Sequence, residues 1–178
     1  MRTRALTLFL SLVLAGSASA QGLMADMHSD VNGVQKKLVD LAKAIPEAAY
    51  SWRPSGARSV GEVLQHVAAD NYLIPIAMGK AAPASTGISG TDYKTVEAYE
   101  KRKVGKDQNI AELEASFKHL HEAMGLTTDA NLNERIKFFG QDMSRQAAML
   151  ATVTHLHEHL GQMIAYARSN SVAPPWSR

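Results

Sequence analysis

The chain repeats apolar residues at alternating spacings of three and four in four separate stretches, the pattern of helices that bury one face. The first stretch ends where Pro46 stops the helix. Its narrow apolar seam consists of Met24, Met27, Val31, Val34, Leu38, Leu41 and Ile45. Such a seam packs against other helices, either within one subunit or across a dimer, and the pattern leaves both arrangements open.

The second and third helices are each predicted to begin with a capping box, in which a small polar residue is followed three positions later by Glu. Ser59 and Glu62 start the second helix, and Asn109 and Glu112 start the third, which ends near Gly125. A proline inside the second helix is expected to kink it or loosen its last turns. The apolar faces comprise Val60, Val63, Leu64, Val67 and Ile74 in the second helix, and Ile110, Leu113, Phe117, Leu120 and Met124 in the third.

The connection between these two helices, residues 81–108, is long enough to run the length of a bundle. It begins with a loop rich in Pro, Ser, Thr and Gly. A short polar helix over residues 93–103 follows, which we expect to lie over the bundle. Helices two and three are therefore predicted to be parallel. With a fourth helix over residues 144–169, the expected fold is an all-α four-helix bundle.

The first twenty residues have the features of a secretory signal peptide: a basic start at Arg2 and Arg4, an apolar run, and small residues ending at Ala20. Residues 21–178 are then expected to form one exported domain, periplasmic or secreted. Removing the signal leaves 17 of the 19 basic residues against 17 acidic ones, so a nucleic-acid partner is not expected. No later apolar run reaches the roughly 20 residues of a membrane span. The chain has no cysteine, which excludes disulfides and a lipid-modified cysteine.

The fourth helix carries the candidate chemistry. His155 and His159 lie one turn apart on the same helical face, where two imidazoles can bind one metal ion. Gln162 and Tyr166 continue that line. A catalytic metal centre usually has three protein ligands and one open position. His66, on the second helix, is the best candidate for the third ligand.

The spacing of the histidine pair alone does not decide between a metal site and structural residues. It is not the metalloprotease motif, because that motif places a glutamate directly after the first histidine, whereas Leu156 stands there in this chain. Peptidase chemistry therefore loses its main support. Histidines beside an apolar stripe are more often hydrogen-bonded structural residues than ligands. The remaining histidines are interpreted in this way, with the last of them expected to be exposed: His28, His119, His121 and His157.

Three segments of the chain form a characteristic combination: Trp52-Arg53-Pro54, the helix start Ser59-x-x-Glu62-x-x-x-His66, and the ending His155-x-x-x-His159-x-Gly161-Gln162-x-x-x-Tyr166-x-Arg168 with Pro174-Pro175. Together they resemble the DinB-like metal-binding four-helix proteins. The likeness covers most of residues 21–178, and the final segment is its most specific part. These are damage-inducible bundle proteins related to thiol-dependent transferases.

The resemblance implies a bundle of up-down-down-up order, usually dimeric, that holds a divalent ion, commonly nickel or zinc, through three histidines. The matching positions are His66, His155 and His159. An exported member is less usual than a cytoplasmic one, which argues against cytosolic low-molecular-weight thiols as co-substrates.

A metal ion on three neutral imidazoles keeps its full charge, so it can acidify bound water, polarise a carbonyl or bind a thiolate. Asp70, Gln162 and Tyr166 are candidates to orient a ligand or to hydrogen-bond a bound water. The alternative is that they are ordinary polar residues of a bundle. Phe138 and Phe139 are expected to form a short extended or loop piece that covers the mouth of the site.

Three hypotheses follow for the function. A metal-dependent hydrolase or thiol transferase, acting on an unidentified small molecule, needs an open pocket beside the histidines. A non-catalytic metal-binding or stress-related module predicts a shallow or closed site. A structural bundle without metal predicts that His66 lies far from the histidine pair.

Overall fold

The structure is a computed structural model that describes residues 22–177. Four long helices form a bundle, which confirms the predicted all-α fold class. A short helix and a two-stranded hairpin pack against it. The elements are α1 (Leu23–Ala44), α2 (Val60–Ala77), α3 (Tyr93–Glu100), α4 (Lys106–Met124), β1 (Arg135–Phe138), β2 (Gln141–Ser144) and α5 (Arg145–Ser169). The predicted signal peptide, residues 1–20, lies outside the described residues.

Side-chain contacts give the directions of the bundle helices α2 and α4. Asn71 of α2 donates a hydrogen bond to Ser116 of α4 at 3.1 Å. Further along both helices, the Lys80 ammonium lies 2.9 Å from the Glu122 carboxylate. Because residue numbers rise in the same direction on both helices, α2 and α4 run parallel.

The first and last helices of the chain, α1 and α5, run antiparallel to α2 and α4. Near the end of α1, the Lys43 ammonium lies 2.8 Å from Glu114 of α4. At its start, the backbone N–H of Met24 donates to Asp129, just beyond the end of α4, at 3.0 Å. The first residue of α5, Arg145, donates to the carbonyl that follows the end of α2. This arrangement places the middle of α5 beside the middle of α2.

The predicted apolar seams meet in one core. All seven seam residues of α1 are buried, as are the predicted apolar residues of α2 and α4. The side chain of Phe117 is the largest of those with less than 2% exposure. On α5, Met149, Leu156, Leu160 and Met163 are buried, and Val153 and Ile164 pack at the margin of the core.

One predicted capping box is confirmed and the other is wrong. At the start of α2, the Glu62 carboxylate accepts from the Ser59 backbone N–H at 2.7 Å, and the Ser59 hydroxyl accepts in return. In contrast, α4 begins earlier than predicted, after Gly105. Asn109 lies inside the first turn of α4, where its amide donates to the carbonyls of Val104 and Gly105.

A tertiary contact explains the early start of α4. The Lys106 ammonium donates to the carbonyls of Lys43 and Ile45 at the end of α1, at 2.7 and 2.8 Å. Cations are favoured at a helix C-terminus, so this contact holds Lys106, the first residue of α4, against the end of α1. Glycine is also an accepted N-cap residue. Glu112, the predicted partner of Asn109, pairs with Arg102 instead.

The short polar helix α3 lies over the bundle, as predicted, although it ends at Glu100 rather than at residue 103. Its buried residues Val96 and Tyr99 pack on Ala69 and Tyr72 of α2 in a second, smaller apolar cluster. This packing brings the last residue of α3, Glu100, next to the central turns of α2.

The helix α2 continues through Pro75 to Ala77, and its last turn closes with tighter bonds, such as Met78 N–H to the Pro75 carbonyl. Within residues 22–177, none of the helices combines the length and the apolarity that a membrane crossing requires.

Candidate metal centre

Three imidazole rings from two helices converge at one place in the bundle. His66 comes from α2, and His155 and His159 come from α5. The Nε2 atom of His155 lies 3.4 Å from Nε2 of His66 and 3.1 Å from Nε2 of His159. All three ligand atoms lie within 4.8 Å of one another. The purely structural hypothesis, which required His66 to be remote, does not fit this geometry.

The spacing of the ring nitrogens fits a single metal ion. Ligand atoms bound at about 2.1 Å from one ion lie roughly 3.0 to 3.4 Å apart in octahedral or tetrahedral geometry. The observed separations, 3.1 and 3.4 Å, have this size. His66 and His159 are 9% and 7% exposed, so the centre is largely shielded, while the His155 side chain is 23% exposed. This cluster can therefore hold a metal ion that remains accessible from the His155 side.

A chain of hydrogen bonds fixes the tautomer of His159. The backbone carbonyl of Arg58 can only accept, so it accepts from the Tyr166 hydroxyl at 3.0 Å. That hydroxyl in turn accepts from the Gln162 amide at 2.9 Å, which turns the amide oxygen towards His159 Nδ1, also at 2.9 Å. Nδ1 of His159 must therefore carry the proton, and its Nε2 presents a lone pair to the cluster.

A carboxylate fixes the tautomer of His66. The Oε1 atom of Glu100, at the end of α3, lies 2.7 Å from His66 Nδ1 and accepts a hydrogen bond from the N–H group there. Burial alone would raise the pKa of Glu100, but its interactions with His66 and with the Arg58 guanidinium outweigh burial and lower that pKa. Glu100 is therefore ionised at neutral pH. The lone pair of His66 Nε2 then faces the same space as that of His159.

Asp70 occupies a position next to the ring nitrogens. One of its carboxylate oxygens lies 3.1 Å from His155 Nε2 and 3.6 Å from His66 Nε2. These distances match those between the nitrogens themselves. Asp70 is buried, at 8% exposure. A buried carboxylate at this position can bind a cation at the cluster or accept a proton from a molecule bound there.

His155 differs from the other two rings. Its Nδ1 atom is buried and has no hydrogen-bond partner among the described residues, so no outer group fixes its tautomer. In His159, by contrast, burial lowers the pKa, the hydrogen bond that its ring donates to Gln162 opposes this, and the neighbouring His155 and His66 rings lower the pKa further. A neutral His159 is the form that a metal ion requires.

Arg58 links the two series of hydrogen bonds that end at His159 and at His66. Its carbonyl accepts from Tyr166 in the chain that ends at His159, and its guanidinium lies 3.2 Å from Glu100 in the chain that ends at His66. Of the residues expected from the sequence to orient ligands, Gln162 contacts His159 directly, and Tyr166 contacts Gln162; their role towards a metal ion stays a prediction. Glu100 and Arg58 were missed, because neither lies at a helical spacing from a histidine.

The other four histidines lie away from this cluster. His157 is exposed, as predicted, and contacts Asp30 at 2.8 Å. His121 contacts Gln35, and its ring stacks on that of His28 with centroids 6.1 Å apart. His119 departs from the expected pattern of a hydrogen-bonded residue, because its buried Nε2 has no partner in the described part of the chain.

The cavities found among residues 22–177 include three of about 270 to 510 Å³, and none of these three is lined by the clustered histidines. Phe138 ends strand β1, and Phe139 is the first residue of the turn that joins β1 to β2. They line a cavity with Leu73 and Ile74 of α2, beyond Asp70 along the helix, rather than the histidine cluster itself.

Comparison with known proteins identifies the family. The sequence profile of the DinB superfamily matches residues 31–163, a range that contains all three clustered histidines. Nine chains of solved structures match, among them a DinB-like protein from Bacillus cereus ATCC 10987. That protein has 16% identity and a TM-score of 0.70, with 89% of this chain and 99% of that one covered, a likeness of fold alone. No curated protein matches the chain. Since the family profile matches well over half of its length, the chain belongs to the DinB superfamily.

Proposed function

We propose that this protein binds a divalent transition metal through Nε2 of His66, His155 and His159, and that it is a metal-dependent hydrolase of a small molecule. The single observation that carries the proposal is the convergence of these nitrogens at 3.1 and 3.4 Å. Imidazole ligands suit nickel and zinc, and a three-histidine set leaves a position for a substrate or water.

The hydrogen bonds around the cluster support a cation at its centre. Because Glu100 and Gln162 hold the protons on Nδ1 of His66 and His159, both Nε2 atoms point lone pairs at the same space. A proton on His155 Nε2 can be donated to only one of three neighbours, which are Nε2 of His66, Nε2 of His159 and the Asp70 oxygen. Lone pairs at this distance repel, and a shared cation converts the repulsion into attraction.

When bound, a divalent ion would supply a Lewis acid that polarises a carbonyl and lowers the pKa of coordinated water. The protein's own residues do the rest. Glu100 and Gln162 hold two rings in orientation, and the buried Asp70 carboxylate accepts a proton from the attacking nucleophile. The bundle core behind the rings excludes bulk water from that side.

The presence of Asp70 favours hydrolysis over thiol transfer. Water is a weak acid and benefits from a base beside the metal, whereas a thiol, with a pKa of about 8.5, ionises readily on a metal without one. The sequence-based expectation of export points the same way, because cytosolic thiols would then be absent. The second candidate is a metal-binding module without turnover, and it is favoured by the fact that none of the three cavities described above is lined by the histidines.

Location and assembly are part of the proposal. The signal-like features of residues 1–20 support a periplasmic or secreted protein, and the family resemblance supports a homodimer. Fractionation of cells that express the full chain tests the first point, and light scattering of the purified protein tests the second. Retention of the protein in the cytosol would refute the proposed export, and a monomeric mass would refute the proposed homodimer.

Metal content tests the site. We expect one equivalent of zinc or nickel in the purified protein and a loss of at least tenfold in metal affinity for His159→Ala. His157→Ala is the matched control, because His157 lies on the same helix but is exposed and remote from the cluster. Equal metal content in wild type and His159→Ala would overturn the assignment.

Activity is tested separately with Asp70→Asn. A general base contributes about 10²- to 10⁴-fold to a rate, so we expect hydrolysis of ester and amide substrates by the zinc-loaded protein to fall at least a hundredfold while zinc remains bound. Retained turnover in this variant would refute the role of Asp70. If the loaded wild-type protein hydrolyses none of the substrates, the binding module is the better description.

A further inference from the structure

One face of α2 carries His66 of the histidine cluster and continues along the helix to the residues that face the β1–β2 hairpin. With about 100° per residue, Asp70, Leu73 and Ala77 all lie within about 40° of the direction of His66. Leu73 follows Asp70 by three residues, or about 4.5 Å along the helix axis. The polar end of this face, His66 and Asp70, is therefore continuous with an apolar end, Leu73 and Ala77.

A cavity of about 270 Å³ lies over the apolar end of this face. Leu73 and Ala77 lie at its base, and Phe138 and Phe139 of the β1–β2 hairpin form one wall. Gly90, in the loop before α3, belongs to the opposite wall. A side chain at this glycine would meet Ile76 at 2.7 Å, so the close approach of the loop requires glycine.

Tyr93, the first residue of α3, follows Gly90 by three residues and is 57% exposed. Burial, followed by the nearby carboxylates of Asp70 and Glu100, raises the pKa of Tyr93. The segment that lines the apolar cavity at Gly90 therefore continues to a residue near Asp70 and Glu100.

Phe139 stands at an unfavourable place for a phenylalanine. It is the first residue of a two-residue hairpin turn, with φ of 47°, followed by Gly140 with φ of 77°. Two positive φ values define the turn type in which Asn-Gly is strongly preferred, and a bulky residue there is strained. The ring is also 57% exposed. The ring packs edge-on against the buried Phe138 ring, with centroids 4.7 Å apart, and it also lines the cavity over Leu73. Strained backbone positions of this kind are concentrated at ligand-binding sites.

We propose that the cavity between Phe139 and Leu73 binds the apolar group of the substrate, a short alkyl or aryl chain attached to the polar group that reacts at the histidine cluster. This assignment rests on the proposed function and names its substrate class. The volume suits a fragment rather than a whole drug-sized ligand. Specificity for the chain then lies in the hairpin, and reactivity lies in the metal centre.

Straight-chain alkyl hydroxamates test the assignment, because their head group binds metal ions and their tail length can be varied. We measure their affinity for the zinc-loaded protein by calorimetry, from acetohydroxamate to octanohydroxamate. Burial of one methylene contributes about 0.8 kcal/mol, so the affinity of wild type should rise by about two- to fourfold per methylene until the cavity is filled.

Two variants test whether the alkyl tail binds in this cavity rather than on another apolar surface. Phe139→Asn removes the wall but suits the turn, so we expect an unchanged or higher melting temperature together with at least a twofold smaller gain per methylene. Ala77→Phe fills the base and should weaken the long hydroxamates at least tenfold while acetohydroxamate binds as before. Leu150→Ser, at an apolar residue of α5 that is 55% exposed, is the control and should behave as wild type.

The outcomes distinguish the two proposals. If zinc binds and acetohydroxamate binds, but affinity does not rise with chain length, the cavity assignment is overturned and the metal centre stands. A rise that is the same in wild type and in both cavity variants also overturns it, because the tail then binds elsewhere. Failure of the protein to retain zinc at all overturns the proposed function and the assignment with it.

Discussion

Replacing the Glu100 carboxylate with an amide, in Glu100→Gln, should weaken metal binding although Glu100 is not itself a proposed ligand. Its oxygen lies 2.7 Å from His66 Nδ1, and its side chain is 16% exposed, so the charge is little screened by solvent. As a carboxylate it fixes the ring orientation and raises the basicity of Nε2. Glutamine keeps the size and an acceptor oxygen but loses the charge.

The expected loss follows from measured effects of such outer groups on metal sites, about 10- to 100-fold in affinity, or about 1.4 to 2.7 kcal/mol. Competition with a chromophoric zinc chelator at pH 7.5 measures it directly. Glu97→Gln is the matched control, since Glu97 lies on the same helix and its one ion pair within residues 22–177 is with the exposed Lys101. Unchanged affinity in Glu100→Gln, or an equal loss in the control, would refute the role given to this carboxylate.

Three further expectations can be tested with purified protein. Tyr166→Phe interrupts the series of hydrogen bonds from the Arg58 carbonyl to His159 and should lower the unfolding free energy, measured in urea, by about 1 kcal/mol. It should also reduce zinc affinity several-fold, which the loss of a purely structural hydroxyl would not do. Phe117→Ala should destabilise the fold by about 3 to 5 kcal/mol, because Phe117 is fully buried; a loss below 1 kcal/mol would contradict its place in the core. Burial lowers the pKa of His119 and of His121 below the ordinary value of 6.5, so the unfolded chain binds protons before the folded protein does as the pH falls. The free energy of unfolding of the metal-free protein should therefore be at its full value above pH 6.5 and decline below it. An unfolding free energy that stays constant between pH 8 and 5.5 would contradict this.

The local features of the fold were predictable from the sequence because they depend on neighbouring residues. Apolar spacing predicted the four long helices, and the capping box of Ser59 and Glu62 set the start of α2 correctly. The spacing of His155 and His159 placed both rings on one face of α5. Each of these features follows from helical periodicity within a single segment.

The features that were missed depend on contacts between distant segments. The start of α4 is set by Lys106 on the end of α1, which no local pattern reveals. Glu100 and Arg58 reach the site because α3 packs across α2 and because Arg58 precedes that helix. An acidic residue on the polar helix over the bundle was the one available signal for Glu100, since metal-binding histidines usually donate to a carboxylate or carbonyl. The hairpin was expected only as an extended piece, because its strands are four residues long and mostly exposed.

X-ray absorption at the zinc edge of the loaded protein tests the central claim most directly. Three imidazole nitrogens on one ion should give a nitrogen shell at about 2.0 to 2.1 Å with the multiple scattering of three histidine rings, reduced to two rings in His66→Ala. A spectrum with one imidazole or none, or one that is identical in wild type and His66→Ala, would contradict the claim that α2 and α5 share a metal ion.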